Sequence, residues 1–305
     1  MSAALCLLVY GAALVWMGPR LLSWLSRGGG APRLSVVLWL VTIVIAIAAW
    51  LVGAVGMLAE VFGPHPAGPL RYCMDALLAL NHLGWAGHVA IIVACAAALI
   101  ATSVVARRSL VAVRRFWRRS REHAHAAHIL GSPSTHPGVV VLQERSAAAY
   151  CVVGRPDAIV VTSAAMSTLN EAELAAVLAH ERAHLAGRHP QLMMALRALA
   201  TSMPRFPLLP NAVAVVGRLL EMCADDTAAR RHGRETVLDG LIALAGAPRT
   251  ADGALGAADT AVLARAERLA VPAVAGALLR ERIATISALA AVVLAPVLIA
   301  VICHS

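Results

Sequence analysis

His180-Glu181-Arg182-Ala183-His184 is the stretch of this chain whose residue types and spacing most narrowly specify a chemistry. On a helix, side chains four apart stack on one face. Both imidazoles can then reach one metal ion at about 2.0–2.1 Å while Glu181 projects beside it. Such a site suits hydrolysis, with the metal activating a water and Glu181 as the catalytic base that moves its proton. A hydrolytic zinc site wants three protein ligands and one open position, so a third ligand must come from elsewhere. His189 is nearest, and Gly187 fits the HExxHxxG start of an HExxHxxGxxH pattern, but that pattern needs histidine where Pro190 stands. Glu221 is the better candidate, in the run Leu219-Leu220-Glu221-Met222-Cys223-Ala224-Asp225-Asp226. Asp225 lies one helical turn from Glu221 on the same face. Glu221 can therefore bind the metal while Asp225 accepts the other ring N–H of a ligating histidine and fixes its orientation. Asp226 falls on an adjacent face and suits an ion pair or a cap.

These residues need two helices to carry them. Asn170 followed by Glu173 is a capping-box start, predicting a helix to about Gly187, and apolar periodicity predicts a second helix from about Asn211 to Arg231. Three short strands are expected ahead of them, at Val139–Gln143, Ala147–Val153 and Ala158–Thr162, the last two separated by the turn-prone Gly154-Arg155-Pro156-Asp157. A peptide substrate would most simply add a strand to this sheet, with Ala158–Thr162 as the edge. Residues 122–138, which hold four histidines among Gly, Ser and Pro, read as a polar connector.

The rest of the chain is lipid-like. The whole chain is 60% hydrophobic and only 14% charged, far from the roughly 45–50% and 25% of soluble chains. Four stretches approach the roughly 20 apolar residues that a spanning helix needs: about 3–25, 34–59, 84–106 and 283–303. The 26 basic residues are all arginine. They follow the first stretch (Arg20, Arg27, Arg33) and crowd after the third (Arg107, Arg108, Arg114, Arg115, Arg118, Arg119, Arg121), which places both flanks on the cytoplasmic side. The expected protein is thus a multi-pass plasma-membrane protein of four transmembrane helices, with both termini and the loop 62–83 outside. Residues 107–138 form a basic juxtamembrane segment and linker, and 139–282 a cytoplasmic α+β catalytic domain. The arginine run reads as an anchor to anionic headgroups of the lipid bilayer, so no nucleic-acid binding is expected. The six cysteines are scattered without a CxxC pair, which leaves no disulfide framework or cysteine metal site to read.

HExxH with a downstream ExxxD is the gluzincin pattern. Its placement after three helices and before a fourth resembles the BlaR/MecR-type membrane metallopeptidases, metallopeptidase family 56. The blocks VGRPDAIVVTSAAMSTLNEAELAAVLAHERAHLAGRH and LLEMCADDTAARRHG look like that family's signatures. The resemblance implies one catalytic zinc ion on His180, His184 and Glu221, Glu181 as general base and Asp225 supporting a ligand. Its implied substrate is a BlaI/MecI-type winged-helix transcriptional repressor, cut in a signalling role. The chain is expected to be the short form without an extracellular penicillin-binding sensor domain, a form common in actinobacteria. Arginine without lysine, together with abundant alanine, suits the GC-rich genomes of that group. The alternative is a quality-control protease like the HtpX/Ste24 group, which shares HExxH and ExxxD.

Overall fold

The computed structural model describes residues 3–62, 85–246, 255–271 and 274–304. The expected outer loop lies outside the described residues. Helices α1 (Ala3–Trp16) and α2 (Gly18–Leu25) meet at a 52° bend, and α3 (Pro32–Phe62) returns alongside α1. The two approach closely because Gly11 faces the Trp50 indole and Gly53 faces Leu8 and the Ala4 carbonyl, where any side chain would collide. Helix α4 (Trp85–Leu130) contains the apolar stretch expected as the third span and runs on unbroken through the arginines. Its 46 residues extend about 69 Å. At the far end, α11 (Ala275–His304) packs on α1 and α3. Among the described residues, α3 and α11 are long and apolar enough to cross a membrane, and the bent pair α1–α2 makes a third candidate. That is two or three candidate spans where the sequence suggested four.

After α4 come β1 (Ser132–Pro133), β2 (Val139–Leu142), β3 (Ala149–Val152) and β4 (Ala158–Thr162), arranged β1-β2-β4-β3. β4 pairs in parallel with β2 (Val140 opposite Val160) and antiparallel with β3 (Tyr150 opposite Val160). It is therefore central, and the expectation that Ala158–Thr162 forms the edge is corrected: β3 is an edge. The reason is burial on both faces. All five β4 residues are buried, as a continuous apolar run requires. One face packs on α5 (Ser163–Thr168) and α6 (Glu171–Ala186) through Ala165, Leu174 and Leu178. The other is covered by the C-terminal turns of α4, whose Ala124 and Ala127 sit against Val152 and Val160. Residues 122–130, expected as a polar connector, are thus helix. The small buried residues lie along one side, and His125 and His128 stay exposed on the other.

Four more helices follow α6: α7 (His189–Ser202), α8 (Leu208–His232), α9 (Arg234–Gly246) and α10 (Leu255–Ala270). The α7–α8 hairpin does not stand apart from the membrane helices. Leu196, Leu208, Ala212, Val216 and Leu219 share one core with Val36, Leu38, Trp39 and Ile43 of α3. Phe206, at the turn between α7 and α8, packs against Trp16 and Trp50 with ring centroids 5.9 Å apart in each pair.

Candidate active site

Helix α6 starts where its cap dictates. The Asn170 side chain accepts from the Glu173 N–H at 2.9 Å, and the Glu173 carboxylate accepts from the Asn170 N–H at 2.9 Å, so two otherwise orphaned donors are satisfied. Leu174 and Leu178 face the sheet, while Ala176 and Ala179 face Ala228 of α8 and Val237 of α9. Between those two packed sides the remaining stripe carries His180, Glu181 and His184, all buried. α8 crosses this stripe and presents Glu221 and Asp225.

The Nε2 atoms of His180 and His184 are 3.1 Å apart, and each lies 3.5 Å from one oxygen of Glu221. Three donor atoms on a tetrahedron with bonds of about 2 Å are separated by roughly 3.3 Å, so this set fits one zinc ion. The ring nitrogens facing away are also engaged. His180 Nδ1 donates to Asp225 Oδ1 at 2.9 Å, and His184 Nδ1 meets His189 Nδ1 at 2.9 Å. Arg265, on α10, forks onto Asp225, with Nε to Oδ2 at 2.8 Å and Nη2 to Oδ1 at 2.6 Å. Its Nη1 reaches Glu221 Oε2 at 3.1 Å. Glu181 sits beside the three donors with the Cys151 thiol of β3 against its carboxylate.

Electrostatics follow from this packing. Burial raises the Glu181 carboxyl above its usual range, only partly opposed by the two histidines. Burial also disfavours charge on His180, but hydrogen bonds to the Asp225 and Glu221 carboxylates prevail and hold that ring up to about 9. Desolvation and the neighbouring His184 push His189 down to about 4, so it is neutral at pH 7 and its Nδ1 can accept the His184 Nδ1–H. Asp225 and Glu221 are both held below the ordinary carboxylate range. Burial opposes this, but the histidine hydrogen bonds and Arg265 outweigh it.

A helix bearing two metal-spaced histidines and a buried glutamate, crossed by a second helix that brings a carboxylate, on a chain with membrane-spanning candidates, defines a membrane zinc metallopeptidase. Residues 113–247 match the model of Peptidase family M48, and that stretch carries His180, His184 and Glu221, the candidate zinc site. The match does not carry the BlaR/MecR subtype. The comparisons with curated proteins and with solved structures return no match.

The structure brings His180, Glu181, His184, Glu221 and Asp225 together. Two further residues of the site were missed. The sequence offers His189 only as a metal ligand. The turn at Gly187 and Arg188 folds it back onto the outer nitrogen of His184, and a side chain at Gly187 would push the His189 ring out of that place. Arg265 arrives from a helix 40 positions beyond Asp225. Its only trace in the sequence is an arginine at Arg265 with another at Arg268, three positions on; Arg268 pairs with Asp226 at 2.8 Å, the ion pair anticipated for that aspartate.

Proposed function

We propose that this chain is an integral-membrane zinc endopeptidase whose active site faces the cytoplasm and cuts extended protein segments at the membrane surface. The observation that carries the reading is the His180–His184–Glu221 donor set, with Glu181 buried against it on the same helix. His180, His184 and Glu221 would hold the metal. A bound zinc ion supplies Lewis acidity, lowering the pKa of a water toward about 7 and polarising the scissile carbonyl. The Glu181 carboxylate takes the water proton and returns it to the leaving amine. Its raised proton affinity matches it to carrying a proton between those two events. With zinc bound, Asp225 would accept the His180 Nδ1–H and His189 the His184 Nδ1–H, which leaves each Nε2 to the metal. Arg265 keeps Asp225 ionised.

Substrate binds by strand addition to β3, which lies beside Glu181 through Cys151. The arginine-rich flanks support the cytoplasmic orientation, with the first half of α4 as a further span. Two substrate classes are in contention. The BlaR/MecR-type resemblance supports cutting a BlaI/MecI-type winged-helix repressor at one site. The M48 match, to a family other than 56, supports the HtpX/Ste24-like reading, clearance of damaged membrane proteins.

The test uses purified full-length protein and its Glu181→Gln variant. Zinc bound by both at one ion per chain, with peptide cleavage by the wild type alone, is the expected result. A Glu181→Gln protein that cleaves at the wild-type rate overturns the assignment. Cutting a repressor once, against degrading many unfolded membrane proteins, separates the two substrate classes.

A further inference from the structure

Beside the catalytic region, α4 and α7 enclose a groove of about 640 Å³ that the mechanism does not use. Arg107, Arg108, Arg115 and Arg119 line it along α4, with Val104, Val111 and Phe116 between them and Thr201 of α7 opposite. All four arginines are exposed, and among the described residues none has a carboxylate partner; the ion pair on this stretch belongs to Arg118 and Glu122. Four guanidiniums along three turns of one helix repel one another unless an anion joins them. The planar guanidinium fork matches phosphate oxygens two at a time.

The apolar rim decides between anions. The same helix is apolar and exposed just before the groove, at Val93, Ile100 and Val104. A ligand here therefore meets hydrocarbon at one end and cations at the other, which is the polarity of a phospholipid. A nucleic acid or free phosphate would leave Val104, Val111 and Phe116 without a partner.

We infer that the groove between α4 and α7 is a binding site for an anionic phospholipid, its headgroup phosphate held by Arg107, Arg108, Arg115 and Arg119 and its upper chain against Val104. The headgroup contacts α7, the helix that begins at His189.

The experiment takes the detergent-solubilised full-length protein and measures phosphatidylglycerol binding by native mass spectrometry, with phosphatidylcholine as the neutral probe. The paired change Arg115→Gln with Arg119→Gln removes two of four cationic contacts and should weaken phosphatidylglycerol at least about tenfold. Arg114→Gln with Arg118→Gln, on the same helix away from the groove, should change it less than about twofold. These substitutions are all at exposed positions, so zinc content should stay at the wild-type level and report that the fold is intact. Equal losses from both pairs would mean a diffuse charge effect and overturn the site. So would equal binding of phosphatidylcholine, or displacement of phosphatidylglycerol by inorganic phosphate or an oligonucleotide at matched charge.

Discussion

The outward ring nitrogens of His180 and His184 and the Asp225 carboxylate all have partners, and removing those partners one at a time gives separable effects. His189→Ala leaves all three donors in place but frees the outer nitrogen of His184. It should weaken zinc about 10- to 100-fold, read by competition with a chelator of known affinity, while the fold survives. Unchanged affinity would reduce His189 to packing. Arg265→Gln strips the fork from Asp225, whose side chain is 1% exposed. Leaving that carboxylate unpaired in the interior should cost about 3–5 kcal/mol and lower the melting temperature of the metal-free protein. Proton and zinc compete for His180. In the folded metal-free chain its ring is held up to about 9, against an ordinary value near 6.5. The folded state therefore keeps a proton that the unfolded state releases between those values. This contribution to metal-free stability is complete below about pH 6.5 and fades as pH rises through 9. Zinc affinity should climb by up to about tenfold per pH unit over the same window. An affinity that is flat from pH 7 to 9 in buffered zinc would show that His180 binds no proton there. The HExxH pair, Glu221 and Asp225 were legible because their spacings are intrahelical. His189 and Arg265 were not, since a turn geometry and a third helix bring them in.

At the scale of elements, the readable features were those written locally. The Asn170–Glu173 box set the start of α6, and Gly187 its end, within a residue of expectation. β2, β3 and β4 appeared where alternating or continuous apolar runs stood. Strand order was not legible, because the parallel pairing of β2 with β4 joins segments separated by β3, although the unbroken Ala158-Ile159-Val160-Val161 run was itself a sign of a central strand. Residues 122–130 were misread for a different reason. Ala124, Ala127 and Gly131 carry little hydrophobic signal, yet their small size lets α4 lie directly on the sheet, with Val140 filling the space beside Gly131. Enlarging this contact should be costly. Ala127→Leu, at a position 3% exposed, should destabilise the protein by about 1–3 kcal/mol, seen as a lower melting temperature with zinc stoichiometry unchanged in the folded fraction. A neutral effect would mean that α4 is not held against the sheet.

On the scale of the whole molecule, the catalytic helix α8 is built into the membrane helices. Ala212, Val216 and Leu219 are fully buried against a core that includes Leu38 and Trp39 of α3, and Glu221 follows Leu219 by two residues. The polar end of the same contact is locked as well. Arg218 donates to the Ser26 carbonyl, Arg268 joins the Gly29 carbonyl to Asp226, and Glu281 of α11 accepts the Gly30 N–H. The position of the third donor of the zinc site therefore depends on α2, α3 and α11. One sequence could not reveal this, because the periodic apolar face of α8 is equally suited to covering the sheet of its own region. Two measurements test the dependence. A fragment of residues 107–282, which lacks α1–α3, the apolar half of α4 and most of α11, should bind zinc at least about 100-fold more weakly than the full chain, because the Glu221 helix loses the apolar surface that fixes it. In the full chain, Trp39→Ala removes a side chain with no exposure and should cost about 3–5 kcal/mol. Hydrogen exchange should then rise first along residues 208–222. A fragment that holds zinc as tightly as the intact protein would show that the site is self-sufficient and that the shared core contributes only attachment.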